Sequence, residues 1–200
     1  VLGSGGARGM AHIGIITELQ NAGFEIKSIA GASMGALVGG VFACGKLEEF
    51  TDWVQAITKF NVLNLLDISW TPGGLLKGDK LFDVVAPLVG DRNIEDLPIK
   101  FTAVATDITK EKEVWTNSGS LFAAIRESIS LPMVMTPIHR DNMILVDGGV
   151  LNPVPIGPTL NDRTDLTIAV NLGGVPVQKT AHDMDEQIDK NANEKFATRI

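Results

Sequence analysis

The residues best suited to chemistry are Gly31-Ala32-Ser33-Met34-Gly35, set where an apolar run gives way to a helical pattern. Gly-x-Ser-x-Gly in that setting is the arrangement of a nucleophile elbow, a sharp strand-to-helix turn that holds a serine hydroxyl out at the carboxyl edge of a sheet. Glycines at Gly31 and Gly35 remove Cβ atoms that would clash in the turn, and the N-terminus of the following helix favours negative charge developing on Ser33. The plainer reading is a glycine-rich turn that lets helix and strand pack closely.

Upstream lies Gly3-Ser4-Gly5-Gly6-Ala7-Arg8-Gly9, ahead of a helical pattern that starts at Met10. Successive backbone N–H groups leading into a helix form an anion-binding concavity. A dinucleotide fingerprint does not fit, because counting from Gly3 puts Arg8 at the sixth position and Gly9 one residue late. A P-loop would end in Gly-Lys-Ser or Gly-Lys-Thr, whereas Gly9 precedes Met10. What remains is an oxyanion hole for acyl transfer, with Arg8 adding positive charge beside it.

A serine nucleophile needs a base. Asp147-Gly148-Gly149 closes the apolar run 143–146 and offers one carboxylate; His12, His139 and His182 are the alternatives. His12 precedes the serine in the first turn after the glycine loop, which suits a structural role. His139 breaks the Ser, Asp, His order of elbow hydrolases, and His182 obeys it but sits in a charged tail. Two arrangements stand: a Ser33, Asp147, His182 triad, or Asp147 acting directly. An exposed aspartate is a weak base, with a pKa of about 3.9. Apolar neighbours such as Ile144, Leu145, Val146, Val150 and Leu151 would raise its basicity by excluding water. As an isolated motif, Asp-Gly-Gly also reads as an ordinary turn.

Positioning these groups falls to short β-branched runs at 25–30, 100–106, 143–146 and 166–172, with Val1-Leu2 as a further stump. They alternate with helical patterns at 10–22, 34–44, 47–58, 79–88 and 120–129. Residues 111–116 read as a strand folding back antiparallel on 101–107 through the turn at 108–110. The expectation is an α/β, three-layer domain whose mixed, largely parallel central sheet is flanked by helices. The stretch 61–78 breaks the pattern, with Trp70 and several leucines among Pro72, Gly73 and Gly74; it reads as an insertion packed on the core or a loop over a lipid or acyl chain.

Composition bounds the rest. The chain has 200 residues, 44% of them hydrophobic, enough to bury one sizeable core. Seventeen Lys and Arg against 24 Asp and Glu give a net charge of −7 with no basic cluster, which argues against a nucleic-acid partner. The single Cys44 cannot form an internal disulfide. The uncharged segment 28–45 reaches the lower length of a membrane span, but its five glycines fit a soluble strand, turn and helix better. Asp183, Asp185 and Asp189 lack the glycine a calcium loop needs, since Ile188 stands there. The chain opens at Val1 and closes in a polar, helix-compatible stretch, so it reads as one domain, 1–200, trimmed at both ends, with a cytoplasmic or membrane-peripheral location expected.

Taken in order, Gly5-Gly6-Ala7-Arg8-Gly9, His12-Ile13-Gly14, Gly31-Ala32-Ser33-Met34-Gly35 and Asp147-Gly148-Gly149 with Asn152-Pro153-Val154-Pro155 resemble the patatin-like phospholipase family. Ala103-Val104-Ala105-Thr106-Asp107 and the segment 125–132 are similar to bacterial members between these motifs, and the match runs from Val1 to about Leu172. The resemblance implies a lipid acyl hydrolase on an α/β fold, working through a Ser-Asp dyad and an acyl-enzyme. By position, Ser33 is then the nucleophile, Asp147 the base, Gly5 to Gly9 the oxyanion hole, Gly31 and Gly35 the elbow, and Gly148 and Gly149 the base loop. Ser4 departs from the family pattern, which has glycine there. No metal or cofactor is implied; the expected partners are a phospholipid or acyl-ester substrate and a transient membrane surface. A soluble carboxylesterase or thioesterase, or a lipid-binding module without turnover, are the alternatives.

Overall fold

The computed structural model describes residues 1–56 and 79–174. Their strands are β1 (Ser28–Ala32), β2 (Lys100–Asp107), β3 (Lys112–Thr116), β4 (Ile138–Arg140) and β5 (Met143–Asp147). The helices are α1 (Ala11–Asn21), α2 (Met34–Ala43), α3 (Leu47–Ala56), α4 (Asp79–Val89) and α5 (Leu121–Ile129), with a 3-10 turn at Gly6–Met10. The expected insertion at 61–78, His182 and the acidic residues near it lie outside the described residues.

β2 is the axis of the sheet. Every residue of it except Lys100 is buried, as expected of a strand with neighbours on both edges. β1 runs parallel to it, pairing Ser28 to Ala32 with Lys100 to Val104. β3 runs antiparallel, pairing Ala103 to Asp107 with Thr116 to Lys112. β5 is also antiparallel, pairing Ala105 to Asp107 with Asp147 to Leu145. The sheet is mixed, as expected, but among the described strands it is largely antiparallel rather than largely parallel, because β3 and β4 return through tight turns and β5 runs against β2. The parallel part is confined to β1, β2 and single rungs that join Leu2 to Gly31 and to Val170.

The topology has one geometric consequence. A strand has two edges, and Ala103 and Val104 pair with both β1 and β3, while Ala105 to Asp107 pair with both β3 and β5. β3 therefore occupies one edge throughout. β1 and β5 share the other, end to end, approaching from opposite directions and stopping opposite Val104 and Ala105.

Three elements differ from the sequence expectation. β1 starts later and runs two residues further, because Gly31 and Ala32 still pair with Ala103 and Val104. The run 166–172 supplies only the Val170 rung, since its partner turns away at Ser4, whose N–H donates to the Pro153 carbonyl at 2.7 Å. β4 was not expected. It forms a hairpin with β5 across Asp141 and Asn142, both at positive φ (47° and 61°), the pattern of a tight type I′ turn.

α2 explains the uncharged segment. Nine of its ten residues are buried, and it lies against β1 and β2 with α1, α3 and α5 packed around it. Among the described residues no helix is long and apolar enough to cross a membrane. The core joins Leu37, Val38 and Val41 of α2 with Ile29, Phe101, Phe50, Leu81, Val85 and Ile125.

Two glycines separate necessity from tolerance. A Cβ on Gly35 would be driven into the carbonyl oxygens of Leu2 and Gly3, whereas one on Gly14, exposed in α1, meets nothing within 4 Å. Gly35→Ala is expected to lower stability by about 3 kcal/mol through overpacking. Gly14→Ala should raise it by about 0.5–1 kcal/mol through helix propensity. Urea unfolding of both variants checks the contrast.

Candidate active site

Ser33 stands at the end of β1 with φ 56° and ψ −126°, a conformation that costs an L-residue about 1–3 kcal/mol. The two elbow glycines are required by close approach. A Cβ on Gly31 would collide with the Gly35 carbonyl, and one on Gly35 with Leu2 and Gly3. The chain can therefore leave β1 and enter α2 only through this strained residue, which keeps 8% of its surface accessible.

Asp147 ends β5, so the shared edge of β2 brings it to the place where β1 delivers Ser33. It is 3% exposed. Its Oδ1 accepts from the Gly149 N–H at 2.7 Å, while Oδ2 is buried without an aligned hydrogen bond among the described residues. Burial pushes the carboxyl above the usual range, and the nearby Ser33 hydroxyl and the Gly149 N–H pull it partly back. A carboxylate short of partners and water is a stronger proton acceptor than an exposed one.

The glycine loop closes the third side. A Cβ on Gly9 would strike the Met34 side chain, which follows Ser33, and one on Gly149 would lie 2.7 Å from Ser4 Oγ. These contacts hold the loop against both the Ser33 turn and the turn after Asp147. Among the described residues nothing accepts from the N–H groups of Gly5, Gly6 or Ala7. Free donors of this kind are what an oxyanion requires. Ser4, the departure from the family pattern, sits against Gly149, and its N–H is used by Pro153. Arg8 is exposed at the outer end of the loop.

His12 braces this loop from below. It is fully buried, and its Nε2–H donates to the Gly3 carbonyl at 2.7 Å; Nδ1 has no partner among the described residues. Burial lowers its pKa, which favours the neutral ring. His139 is exposed on β4, paired opposite Ile144. Among the described residues no group of three or more His, Cys, Asp or Glu could hold a metal ion.

The sequence reading did not single out the end of α5 as a support, yet it touches both candidate residues. Ser128 Oγ accepts from the Ser33 N–H at 3.0 Å and donates to the Val104 carbonyl at 2.6 Å. The Ser130 carbonyl accepts from the Asp147 N–H at 2.8 Å. Glu127, 4% exposed at its side chain, pairs with Arg140 of β4 through 2.8 and 3.0 Å contacts. The available signal was a run of polar residues, Glu127, Ser128 and Ser130, interleaved with buried isoleucines.

A family model described as patatin-like phospholipase matches residues 1–160. An uncharacterized NTE family protein of Mycobacterium tuberculosis is 51% identical over 173 residues, covering 86% of this chain and 48% of that protein. Neuropathy target esterase sws of Drosophila melanogaster is 33% identical over 180 residues, covering 86% of this chain and 13% of that protein. The chain thus spans about half the length of its mycobacterial relative. Among solved structures, VipD from Legionella pneumophila shares the fold, with a TM-score of 0.59 at 15% identity over 74% of this chain and 45% of that chain.

The raised Asp147 pKa has two consequences of opposite sign. Its contribution to stability is complete below the unfolded value and lost as pH rises through the raised folded value. If Asp147 serves as a base it must be ionised, and the reactivity of Ser33 would then rise over that same window. Fluorophosphonate labelling of Ser33, followed from pH 4 to 8, is expected to increase through one titration centred above about 3.9. A profile flat over that range contradicts a buried Asp147 base.

Proposed function

Because this chain belongs to the patatin-like phospholipase family, we propose that it hydrolyses carboxylic esters of lipids, phospholipids among them, through a Ser33–Asp147 dyad. The observation that carries this reading is the shared edge of β2, where β1 and β5 end opposite Val104 and Ala105. The N–H groups of Gly5, Gly6 and Ala7, which have no acceptor among the described residues, and the buried Asp147 carboxyl support it. Similarity to a neuropathy target esterase agrees with ester chemistry.

The steps follow from the atoms present. Ser33 Oγ attacks the ester carbonyl carbon as its proton passes to Asp147, and the carbonyl oxygen takes up negative charge facing the glycine loop. The tetrahedral species collapses with the C–O bond to the alcohol breaking, and the proton on Asp147 goes to that leaving oxygen. Water then attacks the acyl-Ser33 carbonyl, giving its proton to Asp147. Collapse releases the fatty acid and returns the proton to Ser33 Oγ, so the enzyme is regenerated. Arg8, exposed beside the loop, adds positive charge suited to an anionic head group.

Hydrolysis of a p-nitrophenyl acyl ester series tests the reading. Ser33→Ala and Asp147→Ala are each expected to lose about 10³-fold or more in kcat, with His182→Ala retaining wild-type turnover. Loss of activity in His182→Ala would restore the triad. A wild type inert toward every ester and toward fluorophosphonate would leave a lipid-binding module instead.

A further inference from the structure

We propose that Ser128 is a positioning residue for the reaction: its hydroxyl takes the place of a backbone rung between Ser33 and Val104, and so sets where the strained elbow stands relative to Asp147. The inference rests on the dyad reading above and goes beyond it, because Ser128 touches neither substrate nor the reacting atoms.

The backbone groups of β1 point alternately to its two neighbours. Leu2 N–H donates to the Ala30 carbonyl at 2.9 Å, and Ala32 N–H to the Leu2 carbonyl at 3.2 Å. Hydrogen-bonding groups alternate sides along a strand, so the even residues face Leu2, and Ile29, Gly31 and Ser33 face β2. In a parallel ladder whose register pairs Ala32 with Val104, the Ser33 N–H is the donor whose next acceptor is the Val104 carbonyl. The positive φ of Ser33 turns the chain away at that point.

Ser128 is inserted there. Its hydroxyl, fully buried, accepts the Ser33 N–H at 3.0 Å and passes its own hydrogen to the Val104 carbonyl at 2.6 Å. A hydroxyl is suited to this relay because it accepts and donates at once. The same Val104 carbonyl is the oxygen into which a Cβ on Gly148 would be driven, so elbow, relay and base turn converge on one atom of β2. Two residues along, the Ser130 carbonyl holds the Asp147 N–H at 2.8 Å. One turn of chain at the end of α5 thus fixes the backbone of both members of the dyad. The Glu127–Arg140 pair anchors that turn to β4.

A residue that only supports the fold would change stability, whereas one that places the nucleophile changes kcat in protein that remains folded. The variants are Ser128→Ala, Ser128→Cys, which fills the same space with a poor acceptor, and Phe50→Leu. Phe50 is buried in α3, beyond the far end of α2 from Ser33, so its change loosens the core away from the site. Each is assayed on a soluble p-nitrophenyl ester well below its melting temperature, with fluorophosphonate labelling of Ser33 alongside.

Ser128→Ala is expected to lose about 10²-fold in kcat and in labelling rate, as a nucleophile displaced by an ångström does, with KM within about twofold. Ser128→Cys should show the same split and decides the matter if the alanine variant does not fold. Phe50→Leu should lower the melting temperature and keep wild-type kcat. Folded Ser128→Cys with wild-type kcat and labelling overturns the positioning role while leaving the dyad intact. A wild type inert to ester and probe overturns the esterase reading itself, and the role with it.

Discussion

One edge of β2 serves two strands that run in opposite directions, and everything at the site depends on where they stop. β1 arrives parallel and ends opposite Val104; β5 arrives antiparallel and ends opposite Ala105. Neither can be extended without colliding with the other, so both chains must leave the sheet at the same place. β1 leaves through Ser33 and α2, and β5 leaves through Asp147 and the Gly148–Val150 turn. Ser33 and Asp147 meet because two ladders compete for one edge.

That arrangement is held at a cost in stability. Ser33 carries a backbone conformation that L-residues rarely adopt, and Asp147 keeps an oxygen buried without an aligned partner. Both are disfavoured where they stand, and the surrounding packing opposes their relaxation. Gly31, Gly35 and Gly148 each leave space that a backbone carbonyl fills, so the turns cannot spring open without losing the sheet. His12 holds the glycine loop by its Gly3 carbonyl, and among the described residues the N–H groups of Gly5 to Ala7 meet no acceptor.

Much of this was legible in the sequence, because the features involved are local. The strand-to-helix change around Ser33, the helical periods and the antiparallel return of β3 are all written within a few residues of where they act. Family resemblance added the pairing of Ser33 with Asp147, which spacing alone left open beside a histidine triad. What was not legible depends on long-range geometry. The Ser128 relay links residues 95 positions apart, and nothing in its neighbourhood marks that serine over Ser130. The strand β4 was missed for a different reason: Asp141-Asn142 carries a tight-turn signal, but three residues are too few to show alternation. The run 166–172 has the composition of a strand and yields a single rung, since pairing also needs a partner that continues beside it.

The most direct test of the central claim is a crystal structure of the protein after reaction with a long-chain alkyl fluorophosphonate. The account predicts a phosphorus bonded to Ser33 Oγ and an Asp147 carboxylate oxygen beside that bond. The phosphonyl oxygen should lie about 2.7–3.1 Å from N–H groups of the Gly5 to Ala7 loop. A phosphonyl oxygen turned away from that loop, or an adduct on any residue other than Ser33, would contradict it.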